Sequence, residues 1–397
     1  MECMERIYRR NLAILMYVLI ALGGIVVDII VPSLPSIQTA LTINESLTQW
    51  AFTAAILGFG LGQIAAGFIV DAFGRKVPML VGCFVLLVAL FAAANASSIL
   101  ILVTLRLVQG LAVSLVAVGG RAAIKDMFHG EEYLRAVNWI TISFALGLTL
   151  SPFVGGYLES HFGWSTVFYA LMGWVALGGL LLLAFFKDSH TRTRLNVSFV
   201  KGSLSEIIGN ARFRRVAIIC GILYSILPAF NTVAPFLVQG TLGHTPIFYG
   251  KIALFLGACW LAGNFCNRVF FSVAAEQKVK ISASFAVVAV TLGIAYQWYF
   301  GLSLLAFVLP VAVVIVALGV LFPLFLGQAL SPFPHLAGIA NALVFSACWL
   351  CTALISFIAS SLSSSSALPL LSMYAVLLLT MVLIYRLGRE QFSKPQR

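Results

Sequence analysis

The chain alternates between long runs of apolar residues and short segments that carry most of its polar and charged side chains. Each run is close to the length of about 20 residues that an α-helix needs to cross the hydrocarbon core of a bilayer. The runs lack the alternation of apolar and polar residues that lipid-facing strands show, and they are too long for strands. The pattern therefore predicts an all-α membrane protein with twelve transmembrane helices, near residues 11–33, 48–70, 78–95, 99–122, 136–158, 165–187, 213–239, 249–272, 281–299, 301–328, 336–360 and 367–386.

The composition agrees with a chain that lies mostly in lipid. Hydrophobic residues make up 61% of the sequence and charged residues only 9%, whereas soluble globular proteins average about 25% charged residues. Such a chain has more apolar surface than one water-facing core can bury. The composition therefore excludes a soluble enzyme, a disordered protein, a collagen-like fibre and a disulfide scaffold.

The positive charges are unevenly distributed along the chain, which has a net charge of +11. With twelve spans, every Lys and Arg except Arg106 and Lys251 falls at a terminus or in a loop on one side of the membrane. Because loops rich in Lys and Arg stay in the cytoplasm, we expect a bacterial inner-membrane protein with both termini cytoplasmic. The charges form no continuous basic groove, so nucleic acid is not expected as a partner.

A polar stretch at residues 188–212 divides the spans into two groups of six. We therefore predict a six-helix bundle at residues 1–190, a cytoplasmic linker at 191–212 and a second six-helix bundle at 213–397. Two six-helix repeats with a substrate site between them are a recurrent plan of membrane transporters.

Two weak internal matches support a repeat of this kind. Asp28 and Asn231 are each followed by a proline four residues later, in the first and seventh spans. Gly67 and Asp71, at the end of the second span, match Gly263 and Asn267 at the end of the eighth. The two matches have nearly the same offset, which favours two six-helix pseudo-repeats.

The sequence contains no motif for nucleotide hydrolysis or nucleophilic catalysis. Its nearest approach to a P-loop, at residues 250–252, lacks the hydroxyl residue and the glycine-rich loop. The histidines and cysteines show no metal-ligand spacing, and a free cysteine inside a span behaves as a small apolar residue. We therefore expect no enzyme activity, no metal and no cofactor, with a proton gradient as the energy source.

Two ionisable residues lie deep inside the predicted spans. Asp28 is the one carboxylate of 13 that lies away from termini, loops and span ends, and Arg106 is the one deep cation. Ionisable groups are costly in a bilayer and mark functional sites by default. Both fall in the outer half of the membrane, where they would pair or share a cavity. Two interpretations stay open: a static ion pair that fixes helix packing, and a carboxyl that exchanges protons as the site is buried and exposed.

Five segments of the first half resemble motifs of the major facilitator superfamily. Its second-to-third-helix loop resembles Gly67-Phe-Ile-Val-Asp71-Ala-Phe-Gly74-Arg75-Lys76, and its fourth-helix motif resembles Arg106-Leu-Val-Gln109-Gly110. The fifth-helix antiporter motif of drug/proton exporters resembles Gly147-Leu-Thr-Leu-Ser151-Pro152-Phe-Val-Gly155-Gly156, and the first-helix motif of the twelve-helix branch resembles Asp28 with Pro32 and Pro35. The segment after the fourth helix in the bicyclomycin and chloramphenicol resistance (Bcr/CflA) subfamily resembles Arg121-Ala-Ala-Ile-Lys125-Asp126. In the second half the resemblance rests on the span count and the weak repeat.

The resemblance implies a conformational gate. Asp71 would act in a cytoplasmic latch with Arg121 as partner, and the fifth-span motif would form a hinge or a seal against the other half. A solvated charged turn and ordinary small-residue packing explain the same residues without the resemblance. The implied gate residues are Gly67, Asp71, Gly74, Arg75, Arg121, Gly147, Pro152, Gly155 and Gly156.

Polar side chains on the spans that line the pathway in this superfamily are candidates for the substrate cavity. Amides are better candidates than aromatic residues, because buried amides need partners whereas Trp and Tyr also form interfacial belts. The candidates are Tyr17, Gln63, Asn138, Tyr224, Asn231, Asn264, Gln328 and Asn341, with Trp50, Trp139, Trp260 and Trp349 as nearby aromatic residues.

Together these features predict a proton-coupled antiporter that exports a small organic molecule or drug by alternating access, acting as a monomer. Ile20 stands where some exporters of cationic drugs carry a second membrane carboxylate, so neutral, zwitterionic or anionic solutes suit the site at least as well as cations. The alternative within this class is a dedicated exporter of an endogenous metabolite such as a siderophore. A uniporter, an importer or a lipid flippase stays open as a different class.

Overall fold

The computed structural model describes residues 2–187 and 197–388, and these residues are almost entirely helical. A 3₁₀ turn at Val31–Ser33 follows the first helix, a π-helical turn at Phe236–Thr241 follows the ninth, and a second 3₁₀ turn lies at Pro334–Leu336. The α-helices of the described residues are α1 (Glu2–Asp28), α2 (Leu34–Leu41), α3 (Glu45–Phe73), α4 (Lys76–Ala94), α5 (Ile99–Met127), α6 (Gly130–Phe162), α7 (Trp164–Phe185), α8 (Val197–Gly209), α9 (Ala211–Pro235), α10 (Pro246–Val269), α11 (Ala275–Phe300), α12 (Leu304–Leu330), α13 (Ala337–Ala359) and α14 (Leu368–Leu387).

Twelve helical segments in the described residues are long and apolar enough to cross a membrane. They correspond to the twelve predicted spans, and no strand occurs in this part of the chain, so the all-α, twelve-span prediction is confirmed. Several helices extend beyond the apolar runs: α6 covers Gly130–Phe162, where the pattern predicted residues 136–158. The difference arises because helical hydrogen bonds continue through polar residues, whereas hydropathy marks only the apolar middle.

The chain forms two compact units. The first contains α1 to α7 together with the segment Thr245–Gly250, and the second contains α8 to α14 apart from that segment. Within the predicted linker, residues 197–209 form α8 and belong to the second unit. The predicted boundary at residue 190 lies outside the described residues.

Helix α5 is central to the first unit, where it packs against α1, α3 and α4. The closest approach is between α3 and α5. A Cβ atom added to Gly58 would overlap the carbonyl oxygen of Leu107, and one added to Gly110 would overlap that of Ala55. Glycine at both positions lets the two backbones touch, and this contact fixes the part of α5 that carries Arg106.

The second unit repeats this helix contact between α10 and α12. A Cβ atom on Gly263 would overlap the carbonyl oxygen of Val316 and lie 2.8 Å from the Cα atom of Gly319. The structural counterpart of Gly263 in the first unit is therefore Gly58. The predicted match with Gly67 is wrong for this contact, because a Cβ on Gly67 has no atom of the described chain within 4 Å.

The other predicted matches do correspond to similar local structures. Arg75 Nη1 lies 3.4 Å from Asp71 Oδ1, and Lys278 Nζ lies 2.9 Å from Asn267 Oδ1. Arg75 and Lys278 are both buried. Each binds the polar residue near the end of the preceding helix: Arg75, just before α4, binds Asp71, and Lys278, in α11, binds Asn267. Near the matched prolines, α1 ends at Asp28 and α9 ends at Pro235.

Candidate functional site

The first span is broken just after Asp28, and an arginine from α5 caps the break. Arg106 Nη1 donates to the carbonyl oxygen of Val26 at 2.7 Å, and Nη2 donates to that of Val27 at 2.8 Å. Its Nε donates to the carbonyl oxygen of Ala51 at 3.2 Å. The side chain is fully buried. Carbonyl groups at the end of a helix lack partners within the helix, and the guanidinium supplies donors to them.

Gln109 completes this network on the same face of α5. Its Oε1 accepts a hydrogen bond from Arg106 Nη1 at 2.9 Å, and its Nε2 donates to the carbonyl oxygen of Ala89 in α4 at 3.1 Å. The motif that contains Arg106, Gln109 and Gly110 therefore joins α1, α3, α4 and α5. Its polar atoms are buried and mutually satisfied, which is the condition under which a buried polar network rigidifies a bundle.

Asp28 is buried at the end of α1, with 6% of its surface exposed, and it interacts electrostatically with Arg106. The hydrogen bonds of Arg106 in the described structure go to three main-chain oxygens and to Gln109. The two side chains are therefore neighbours in one buried site.

The glycines of the fifth-span motif bring α6 against the same break. A Cβ atom on Gly155 would overlap the carbonyl oxygen of Ile29, and one on Gly147 would lie 3.0 Å from that of Ala21. Pro152 lies inside α6, and a Cβ on Gly250 would lie 2.9 Å from its carbonyl oxygen. Gly156 packs in the same way against Pro246. The glycines of this motif therefore allow close contacts between main chains that larger residues would prevent.

The gate residues at the other end of the first unit are organised by Arg75. Its Nε lies 2.8 Å from Asp126 Oδ2, its Nη1 donates to the carbonyl oxygen of Val70 at 3.1 Å, and Asp71 is its more distant partner at 3.4 Å. Gly74 precedes it with φ 87°, a left-handed conformation that favours glycine. In this structure Asp71 pairs with Arg75, whereas the resemblance implied Arg121 as its partner.

Arg121 instead lies beside a predicted cavity residue. Its Nη1 donates to Gln63 Oε1 at 3.0 Å, which joins α5 to α3. The Nε2 atom of Gln63 is buried and makes no hydrogen bond within the described chain. Of the other cavity candidates in the first unit, Tyr17 is half-buried and Asn138 is exposed on α6.

In the second unit, Tyr224 belongs to a cluster of aromatic rings from four helices. Its ring centroid lies 5.3 Å from that of Trp349 and 5.6 Å from that of Phe322, and Phe322 lies 5.9 Å from Trp260 and 6.2 Å from Phe345. Hydropathy did not single out the two phenylalanines, because a phenylalanine in a span is expected anywhere in an apolar helix. Trp50 and Trp139, in the first unit, are exposed.

The amide candidates of the second unit are distributed over α9, α10, α12 and α13. Asn264 Nδ2 donates to the carbonyl oxygen of Trp260 at 2.9 Å, which ties it to the aromatic cluster. Asn231 is buried, whereas Gln328 and Asn341 are half-buried. The Oε1 atom of Gln328 is buried without a hydrogen bond in the described residues. Unpaired buried amide atoms are suited to accept a ligand's polar groups.

The structure also buries a carboxylate that the sequence placed among span ends. Glu159, near the end of α6, has 8% of its surface exposed. The hydropathy pattern ended this span at residue 158, so the position of Glu159 inside a longer helix was missed. The position of Glu159 inside a helix follows from the length of α6, which continues to Phe162.

Comparison with known proteins agrees with this architecture. The family model described as "Major Facilitator Superfamily" matches residues 15–356. The chain is 26% identical over 356 residues to "Multidrug resistance protein D" of Escherichia coli (strain K12), covering 86% of each chain. It is 26% identical over 385 residues to "Bicyclomycin resistance protein homolog" of Haemophilus influenzae, covering 90% of this chain and 91% of that one.

A solved structure shows the same fold. The crystal structure of a D-xylose-proton symporter matches 95% of this chain and 97% of its own with a TM-score of 0.75, at 17% sequence identity. At that identity the likeness concerns the fold. The twelve spans, the two compact units and the family match together show that the chain is a multi-pass membrane transporter, not an enzyme, and that it belongs to the Major Facilitator Superfamily.

Proposed function

We propose that the protein is a proton-coupled antiporter that exports a small organic molecule or drug by alternating access. The observation that carries this proposal is the buried carboxyl of Asp28 at the end of α1, next to a break capped by Arg106. A carboxyl in a low-dielectric interior is neutral when protonated and strongly disfavoured when charged. Movement of the site between a dry and a wet environment therefore changes its affinity for protons.

The capped break supports this use of Asp28. Arg106 holds the carbonyl groups of Val26 and Val27, so that the main chain next to the carboxyl keeps its position without a continuous helix. Discontinuous helices with ionisable groups at the break are a recurrent way to build coupling sites in transporters. Arg106 also contributes a fixed positive charge that favours release of the proton once water reaches the site.

Drug export is supported by the names of the relatives and by the aromatic cluster of the second unit. Two of the relatives are named for resistance to several drugs or to bicyclomycin. The rings of Tyr224, Phe322 and Trp349, with the amide of Asn264 nearby, suit a flat apolar solute that carries a few polar groups. Export of an endogenous metabolite such as a siderophore would use the same site and remains the alternative.

The remaining features of the proposal concern location and partners. We propose the bacterial inner membrane, cytoplasmic termini, a monomer, and protons as the energy source with no metal or other cofactor. The cluster of Arg75, Asp126 and neighbouring basic residues at one end of the first unit supports the cytoplasmic assignment of that end by the positive-inside rule.

The test is transport by purified protein in liposomes with an imposed pH gradient, using bicyclomycin and chloramphenicol as probes. We expect the gradient to drive accumulation with wild-type protein and with the matched surface variant Glu132→Gln, since Glu132 is exposed on α6. Asp28→Asn should lose gradient-driven accumulation while still exchanging labelled for unlabelled solute. Gradient-driven accumulation by Asp28→Asn at the wild-type level would overturn the proposal. A catecholate siderophore in place of the drugs tests the alternative.

A further inference from the structure

A second buried carboxyl lies on the other side of the break in the first span. Glu159 is placed there by α6, whose Gly155, one turn earlier, touches the main chain of Ile29. The short turn Val31–Ser33 packs on the same helix. The hydroxyls of Ser33 and Ser36 face the Glu159 carboxyl. Asp28 and Glu159 therefore approach the same short segment of chain from opposite ends.

Two polar atoms in this contact lack partners. Glu159 Oε2 and Ser33 Oγ are both buried, and neither makes a hydrogen bond within the described residues. Ser33 is completely buried, and Glu159 has 8% of its surface exposed. A carboxylate and a hydroxyl left unpaired in a protein interior each cost free energy, and the charged group costs more than the neutral one.

Among the described residues, no cation forms an ion pair with the Glu159 carboxyl. The packed segment 31–41 contains no ionisable residue, and Asp28 at the end of α1 is itself acidic. Helix α7 and the segment Thr245–Gly250 contribute only Tyr169 and Tyr249 as titratable residues. On α6 itself, His161 is exposed and its Nδ1 lies 2.8 Å from the carbonyl oxygen of Tyr157. Arg106 of α5 directs its hydrogen bonds to the break and to Gln109.

A proton on Glu159 removes the buried charge and gives the carboxyl a donor for Ser33 Oγ. A protonated Glu159 carries no charge, and its O–H group can donate to Ser33 Oγ after a small rotation of either side chain. We propose that Glu159 is a second proton-binding site of the first unit, in which the bound proton joins its carboxyl to the hydroxyl of Ser33. The proton comes from water and returns to it without any other bond changing.

The site has a consequence for the transport cycle, and this part rests on the antiport proposed above. While the proton is bound, α6 and the turn at Val31–Ser33 are held together. When water reaches Glu159, the carboxyl ionises and the contact is lost. The protein then has two acids at the break, Asp28 and Glu159, although the position of Ile20 lacks the second carboxylate of some exporters.

The experiment is infrared spectroscopy of the purified full-length protein, in which a protonated carboxyl has its own C=O stretching band. It is done in the Asp28→Asn background, so that Asp28 does not contribute. We expect the band at neutral pH in Asp28→Asn and in Asp28→Asn with the surface change Glu131→Gln, because the side chain of Glu131 is 87% exposed. Adding Glu159→Gln should remove the band, and adding Ser33→Ala should shift it to higher frequency.

Absence of the band in Asp28→Asn, or its persistence in Asp28→Asn/Glu159→Gln, would overturn the proposal. An unshifted band in the Ser33→Ala protein would overturn the hydrogen bond to Ser33. If Glu159→Gln does not fold, the Ser33→Ala protein still tests the site, since it retains the carboxyl. The band is measured without a substrate, so its loss is distinct from a failure of antiport, which would show as intact coupling by Asp28→Asn in liposomes.

Discussion

The guanidinium of Arg106 on α5 lies 2.7 Å from the carbonyl oxygen of Val26, close to the end of α1. This contact spans 80 residues of sequence and couples a buried cation to the main chain beside Asp28. Arg106 is therefore a structural cap as well as an electrostatic neighbour of the proposed proton site. Loss of Arg106 would change both the fold of the break and the field at the carboxyl.

Arg106→Ala should destabilise the protein by about 3 kcal/mol or more, because it leaves several buried oxygen atoms without donors. Arg106→Lys should recover only part of this loss, since one ammonium group cannot reach oxygens in three directions. Thermal unfolding of the detergent-solubilised protein measures the effect. The matched control is Arg135→Ala, because Arg135 is a surface residue with a 78% exposed side chain. Equal melting temperatures for Arg106→Ala and Arg135→Ala would contradict the capping role.

Gly155→Ala should separate α6 from the break in the first span. The added methyl group would overlap the carbonyl oxygen of Ile29, and main-chain atoms cannot move aside as a side chain can. We expect a loss of about 1–3 kcal/mol in stability together with reduced transport in liposomes. Gly173→Ala on α7 is the control, since its Cβ has no neighbour within 4 Å. A Gly155→Ala protein as stable and active as Gly173→Ala would refute the close contact.

Asp126 should matter more than Asp71 for the network around Arg75. The Arg75–Asp126 contact is 2.8 Å long and Asp126 is 34% exposed, whereas the Arg75–Asp71 contact is 3.4 Å and Asp71 is 55% exposed. We expect Asp126→Asn to cost about 1 kcal/mol and Asp71→Asn less than about 0.5 kcal/mol, as for a surface pair. The melting temperatures of the two variants at low and high salt test this order of stability losses. A larger loss of stability in Asp71→Asn than in Asp126→Asn would contradict this prediction.

Tyr224→Ala should weaken binding of flat aromatic solutes at least about fivefold, because one ring contact contributes about 1 kcal/mol beyond its buried area. Tyr224→Phe should bind nearly as well as wild type, since the ring is kept. Quenching of tryptophan fluorescence by chloramphenicol and by an aromatic dye such as ethidium gives the affinities. The control is Tyr299→Ala, because Tyr299 is 79% exposed on α11. Unchanged affinity in Tyr224→Ala would place the substrate elsewhere.

The number of spans, the all-α fold and the choice of Asp28 and Arg106 as the deep ionisable residues could be predicted from the sequence. These properties are local, because a run of apolar residues must find lipid whatever its neighbours do. The family motifs were also readable, because each lies within one short segment. Hydropathy and short motifs therefore need no knowledge of the packing.

The contacts between residues from different helices could not be predicted from the sequence and were established by the packing of the helices. It gave Arg106 main-chain oxygens as partners, paired Asp71 with Arg75, and buried Glu159 beside Ser33. It also showed that Gly58, and not Gly67, corresponds to Gly263. Such contacts depend on how each helix is rotated about its axis and how far it extends past its apolar middle. In a span that is apolar on every side, the hydropathy pattern does not indicate which face packs against other helices.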